Sequence, residues 1–453
     1  MMSLMRLAWA CHLTLLGLAL MAGNGLSAQE AADDLPELTL SHAIQIAIDN
    51  NRPAKIAQLD ITKAHWQVRQ AKAKRFPEIS TYFFGGANLT SPSFNFQKGV
   101  FGTINNVPSP SQDTHIKLSQ GFTGDAVIQV AQPLTQLYKI HLAIREQELG
   151  ADLAGQKYQA KRQSVVADVR QAYYAVLQTE SALHVARATV RQYQETDRVV
   201  LDYVAQRSAL QSSSLEAKAK LAQAQYQVVQ LRDTLTTQKE YLNNLLGRDL
   251  DTPFRTQQVS PITPAEMDLT LARQTSLTQR PEIKEAEIDV RRADYDRKLA
   301  KSQYLPDIGA AFHYVSPINT QILPQNIASA GVEMKWDPFD WGGRRDDVKQ
   351  KEATVDQSKY QLQETRSQVL LDVDNTFRKL SESRSLVVVT GAARDAADEK
   401  LREVTDQFRK SIVLLRDLLE QQAAATSANE EYQQSLLAFW SAKANFEKAL
   451  GEE

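Results

Sequence analysis

Cysteine is nearly absent from this chain. The single one, Cys11, lies inside an apolar stretch running from Leu7 to Ala22. Arg6 precedes that stretch and small residues from Gly23 to Ala28 follow it, so residues 1–28 read as a secretory signal peptide cleaved near Ala28. Cys11 sits too early for a lipoprotein signal, so no lipid anchor is expected. The exported chain would carry no disulfide, and its stability must come from packing or assembly.

A second long apolar run is also missing. Nothing after the N-terminus is long enough to cross a bilayer as a helix. Charge of one sign is missing too: 52 basic residues face 54 acidic ones. No nucleic-acid partner is therefore implied. The seven histidines are scattered without metal-ligand spacing. There is no Walker loop, nucleophile elbow or HExxH motif. The sequence thus offers no cofactor site, no metal site and no case for an enzyme.

What is present is a long helical pattern, twice. Val165, Val169, Ala172, Val176, Thr179, Leu183, Ala186, Val190, Tyr193, Val200 and Val204 recur at alternating steps of four and three, with Asp197 interrupting. That is the seam of a helix packed on other helices. About 204 residues later the series returns as Val369, Val373, Thr376, Leu380, Val387, Ala397, Leu401, Val404 and Phe408. The flanks return as well: Asp168-Val169 answers Asp372-Val373, and Leu245-Leu246-Gly247 answers Ala449-Leu450-Gly451. Two repeats, 38–247 and 269–451, are joined by a proline-rich linker, 248–268.

Within the first repeat, Ser41 is the expected N-cap of a short helix that Asn50-Asn51-Arg52-Pro53 breaks. Pro53 starts the next helix, which Phe76-Pro77 ends. Two strands follow, 78–84 and 126–132, separated by a long loop over 89–123 that carries Phe94, Phe96 and Phe101. From Leu134 to Gln206 only Gly150 and Gly155 break the helix-forming sequence, which gives roughly 100 Å of helix. After a turn over 207–214 a return helix runs to Leu246. The second repeat follows the same plan, with strands at 307–315 and around Val332, Met334 and Trp336. In that last strand, apolar Val332, Met334 and Trp336 alternate with charged Glu333, Lys335 and Asp337.

Apolar-out, polar-in alternation is the pattern of a membrane barrel strand. Trp336, Phe339 and Trp341 would then form an interfacial aromatic girdle. Four strands cannot close a barrel, and open edges are not tolerated in lipid. Three chains sharing one barrel would supply about twelve strands. The fold class expected is mainly α: a duplicated helical hairpin barrel with a small shared β-barrel.

The chain resembles the TolC family of outer-membrane efflux proteins over essentially the whole mature length. The resemblance rests on Arg52-Pro53 and Arg280-Pro281, the strand starts at Pro77 and Pro306, and the pairs Asp168-Val169 and Asp372-Val373. It rests also on the run from Trp336 to Arg344 and on the helix ends at Gly247 and Gly451. It implies a homotrimer in outer-membrane lipid with a periplasmic helical tunnel. It further implies docking to a periplasmic adaptor (membrane fusion) protein and an inner-membrane transporter. The function implied is a passive exit duct for small molecules or proteins, from periplasm to exterior. The rival is a periplasmic coiled-coil adaptor or structural protein, against which two equal hairpins and four amphipathic strands count.

Measured back from Gly451, Asp417 and Glu420 align with two acidic positions that ring the periplasmic entrance in that family, although the second is Glu here. Glu216 is the duplicate of Glu420. In a trimer such residues would form carboxylate rings that attract cations. A solvated helix face beside Arg409, Lys410 and Arg416 accounts for the same residues. The turns at 207–210 and 410–414 resemble the tips where adaptor hairpins dock.

Overall fold

A computed structural model describes residues 36–91, 93–117, 121–257, 268–319, 324–410 and 412–452. The signal-peptide reading and part of the linker fall outside these residues. Strand β1 (Glu37–Leu38) leads into helices α1 (Leu40–Asn50) and α2 (Arg52–Ala73). Strands β2 (Glu78–Asn88), β3 (Ser93–Phe96), β4 (Thr103–Ile104), β5 (Val107–Pro108), β6 (Thr114–Lys117) and β7 (Gly121–Pro133) follow. The first long hairpin is α3 (Gln136–Ala205) and α4 (Gln211–Leu245). Then come β8 (Arg255–Thr256), α5 (Leu269–Gln279), α6 (Pro281–Ser302), β9 (Asp307–Ile318) and β10 (Ile327–Lys335). The second hairpin is α7 (Gly343–Arg409) and α8 (Leu415–Leu450). No helix among the described residues is long and apolar enough to cross a membrane.

Side-by-side order is the same in both layers. The sheet runs β10-β9-β7-β2, all antiparallel. Beneath it, α3 packs on α2 and α4 on one side and on α6 and α8 on the other, and α7 flanks α6 and α8. Each strand therefore continues one helical column: β2 over α2 and α4, β7 over α3, β9 over α6 and α8, β10 over α7. Helices α2 (22 residues) and α4 (35 residues) together nearly match the 70 residues of α3 at 1.5 Å per residue. Among the described residues, both outer columns and both outer strands have no neighbour on their outer side.

The heptad stripe is the core. Val165, Val169, Val176, Leu183, Tyr193 and Val200 are buried on α3, as are Val369, Val373, Val387, Val404 and Phe408 on α7. The equator is where the repeated motifs meet. Asn51 is buried, accepts from Ala54 N–H (3.1 Å) and donates to the Leu245 carbonyl (2.8 Å), so it caps α2 and satisfies the end of α4 together. Gly247 sits at φ +70°, and a Cβ there would meet the Asn50 carbonyl oxygen at 2.4 Å. In the second repeat Arg280 does the matching work. It pairs with Asp372 at 3.0 Å and donates to the Ala449 carbonyl at 3.3 Å, beside Gly451. Pro53 and Pro281 occupy first-turn positions whose N–H has no helical partner in any case.

Three expectations are corrected. The N-cap of α1 is Thr39, whose hydroxyl accepts from His42 N–H at 3.2 Å; the helix starts one residue before Ser41. The loop over 89–123 is a built ribbon in which β3 pairs β6 and β4 pairs β5 around Asn105 and Asn106, both at positive φ. The linker contributes a strand, because β8 pairs in parallel with β1.

Candidate functional site

The far ends of the two hairpins lie together. Val200 and Ala217 of the first pack with Val404, Phe408 and Leu418 of the second. Glu216 is the sixth residue of α4 and Glu420 the sixth of α8, so the duplication places them alike, and both are exposed. Asp417 shares their end but is partly engaged. Its carboxylate accepts from the Leu414 N–H at 3.1 Å, which satisfies an orphan donor of α8. Arg416 lies 3.8 Å from its other oxygen. Leu418 and Leu419 are buried between Asp417 and Glu420, which leaves the two carboxylates on the flanks of an anchored turn. Higher on α3, Arg198 hydrogen-bonds Glu195 at 2.7 Å and holds its carboxyl below the ordinary range, with Arg409 of the other hairpin adding to the effect.

The second candidate region is the sheet. Directly paired residues of antiparallel strands share a face. On that basis Glu78, Asp125, Asp307, His313, Glu333 and Lys335 all fall on one face. The opposite face carries Ile79, Phe83, Ile128, Val130, Ile308, Phe312, Val332 and Met334. The alternation expected for β10 therefore extends over all four strands. Trp336, Phe339 and Trp341 are 52%, 70% and 90% exposed, at the elbow where β10 turns into α7. Phe339 and Trp341 stack edge to face with centroids 4.8 Å apart. Asp340 makes the elbow by accepting from the Arg344 N–H at 2.7 Å, with Trp341 and Gly342 at positive φ.

Two features escape a linear reading. Asp125 is one carboxylate in a strand with otherwise apolar neighbours, and only the register joins it to Phe84 and Pro317. Tyr173, fully buried, ties the N-terminal segment to the linker. Its hydroxyl bonds the Leu38 carbonyl at 2.8 Å and lies 3.0 Å from both the Gln257 carbonyl and N–H. Burial pushes its phenol, and that of Tyr174, up to about 12. Among the described residues no His, Cys, Asp and Glu group is arranged to hold a metal ion.

Residues 43–248 and 272–452 match the family model described as outer membrane efflux protein. The alkaline protease secretion protein AprF of Pseudomonas aeruginosa is 22% identical over 318 residues, which is 68% of this chain and 65% of AprF. The match thus spans just under two thirds of that relative's length. Among solved structures, the outer-membrane channel OprN superposes with a TM-score of 0.76 at 17% identity, over 91% of this chain and 90% of OprN. The outer membrane protein VceC of Vibrio cholerae gives 0.73 at 16% identity, over 91% and 96%.

Proposed function

The chain belongs to the outer membrane efflux protein family, and from that we propose that three copies assemble into one passive exit duct. It is an outer-membrane protein with a helical extension into the periplasm. The observation that carries the assembly is the common order of strands and columns, each open at the same two sides. Joining the β10–α7 side of one copy to the β2–α2–α4 side of the next is a head-to-tail contact that closes a ring. Closure removes strand edges that lipid would not tolerate, and it gives twelve strands from three copies. The face that carries the ionisable residues then lines the lumen and the opposite face meets lipid, with Trp336, Phe339 and Trp341 at the periplasmic interface.

At the other end, Glu216, Glu420 and Asp417 of three copies ring the entrance and favour cations. The hairpin tips dock a periplasmic adaptor that connects the duct to an inner-membrane transporter, which supplies the energy. The cargo class is exported protein or small molecules; the similarity to AprF, named for protease secretion, supports protein cargo. The test is single-channel recording in planar bilayers of the chain and of a Glu216→Gln/Asp417→Asn/Glu420→Gln variant. Asn at 417 keeps the capping oxygen. A cation-selective current whose selectivity drops several-fold in the variant is the expected result. Equal selectivity would remove the carboxylates from the gate, and no current would end the duct reading.

A further inference from the structure

In the proposed duct, on which this inference rests, the barrel lumen is not uniformly polar. On the ionisable face, register levels can be followed across all four strands. One level is Ser80, Gln129, His313 and Ser329, entirely polar. The next level toward the exterior is Tyr82, Val127, Val315 and Ile327, three aliphatic side chains and one phenol ring. Above it stand Phe84, Asp125 and Pro317. Same-face levels are about 7 Å apart along a strand, so the Asp125 carboxylate lies one step beyond the apolar level. Tyr82 is 60% exposed and Phe84 74%, both presenting ring surface to the lumen. Asp125 has no hydrogen bond or ion pair among the described residues.

An aqueous wall needs no level made of aliphatic side chains and a ring, since each costs solvation that a serine would not. An apolar band with aromatic faces and one unpaired carboxylate above it is complementary to a particular solute. That solute has an apolar body and a positive charge, which the carboxylate and the ring faces would attract. We propose that this collar is a binding station for apolar-bodied organic cations on their way through the outer barrel. It makes the duct selective in its wall as well as at its helical tip.

Tetraphenylphosphonium is the probe, with tetramethylammonium as the hydrophilic control of equal charge. Each is added in turn to either side of a planar bilayer holding single channels. Open-channel current is expected to be blocked by the first at concentrations where the second has no effect. In a Val127→Thr/Val315→Thr variant the side chains keep their β-branched shape and strand preference. Its current in potassium chloride should be unchanged and its block by tetraphenylphosphonium about tenfold weaker. An Asp125→Asn variant should weaken the block as well, whereas Glu420→Gln should not. Equal block in parent and collar variants overturns the collar while leaving the duct intact. Block that falls only in Glu420→Gln moves the station to the tip and equally overturns it. A chain that passes no current overturns both readings.

Discussion

Single side chains hold the equator together, and Tyr173 is the most telling of them. Its hydroxyl serves three backbone groups from two separate segments, Leu38 and Gln257. Burial is the largest cause of its raised pKa, about 12 against an ordinary 10. A phenol whose folded-state pKa is raised contributes stability that is complete below its unfolded value, near 10. That contribution is lost as pH rises toward 12, because the unfolded chain releases its proton first. Thermal unfolding followed by circular dichroism should therefore show stability falling between pH 10 and 12, by at most roughly 3 kcal/mol for this group. Tyr173→Phe should be less stable at neutral pH, since it leaves the Leu38 and Gln257 groups short of a partner. It should also show a shallower loss above pH 10. An equal slope in parent and variant would show that Tyr173 is not the group responsible.

At the scale of elements, the two hairpins are copies with different seams. Asp197 of α3 occupies the place that Leu401 has in α7. One of its carboxylate oxygens is buried with no hydrogen-bond partner among the described residues. Nearby Thr196 and Gln422 bond across α3 and α8 at 2.9 Å, and among the described residues the buried Gln422 side-chain oxygen has no partner either. A polar layer only partly satisfied weakens a helical seam. Asp197→Leu should therefore stabilise the chain by about 1 kcal/mol, seen as a higher melting temperature. A lower one would mean that the carboxylate is satisfied in the assembled protein. Capping differs between the copies as well. Asp417 folds back on the start of α8, whereas α4 has Ser213 in the duplicate place.

At the scale of the molecule, the outer columns expose apolar side chains where the ring would close. Val388 and Val389 of α7 are 70% and 64% exposed, and Tyr226 and Val229 of α4 are 62% and 51% exposed. In the proposed ring, exposed apolar side chains of this kind on the two outer columns would be available to the next copy. Light scattering in detergent should give three times the mass of one exported chain, after correction for detergent. Val388→Glu/Val389→Glu should shift the protein toward smaller species without loss of helix content by circular dichroism. A double variant that remains trimeric would place the contact elsewhere.

The sequence alone determined the long helices and the two seams, because a heptad stripe is a local periodicity that survives any tertiary arrangement. Its departures lay where local signals compete. Thr39 and Ser41 are both cap residues, and only the actual helix start chooses between them. The ribbon over 93–117 is rich in turn residues, so its short pairings were invisible without their partners. Glu216 and Glu420 could be matched from the sequence because each stands sixth in its return helix, whereas the capping bond of Asp417 depends on backbone geometry. The common order of strands and columns belonged to the tertiary structure alone. So did the joining of Asp125, Phe84 and the apolar level, residues brought to one wall by register between strands far apart in the chain. Periodicity is written along the chain, whereas adjacency between elements arises from packing across it.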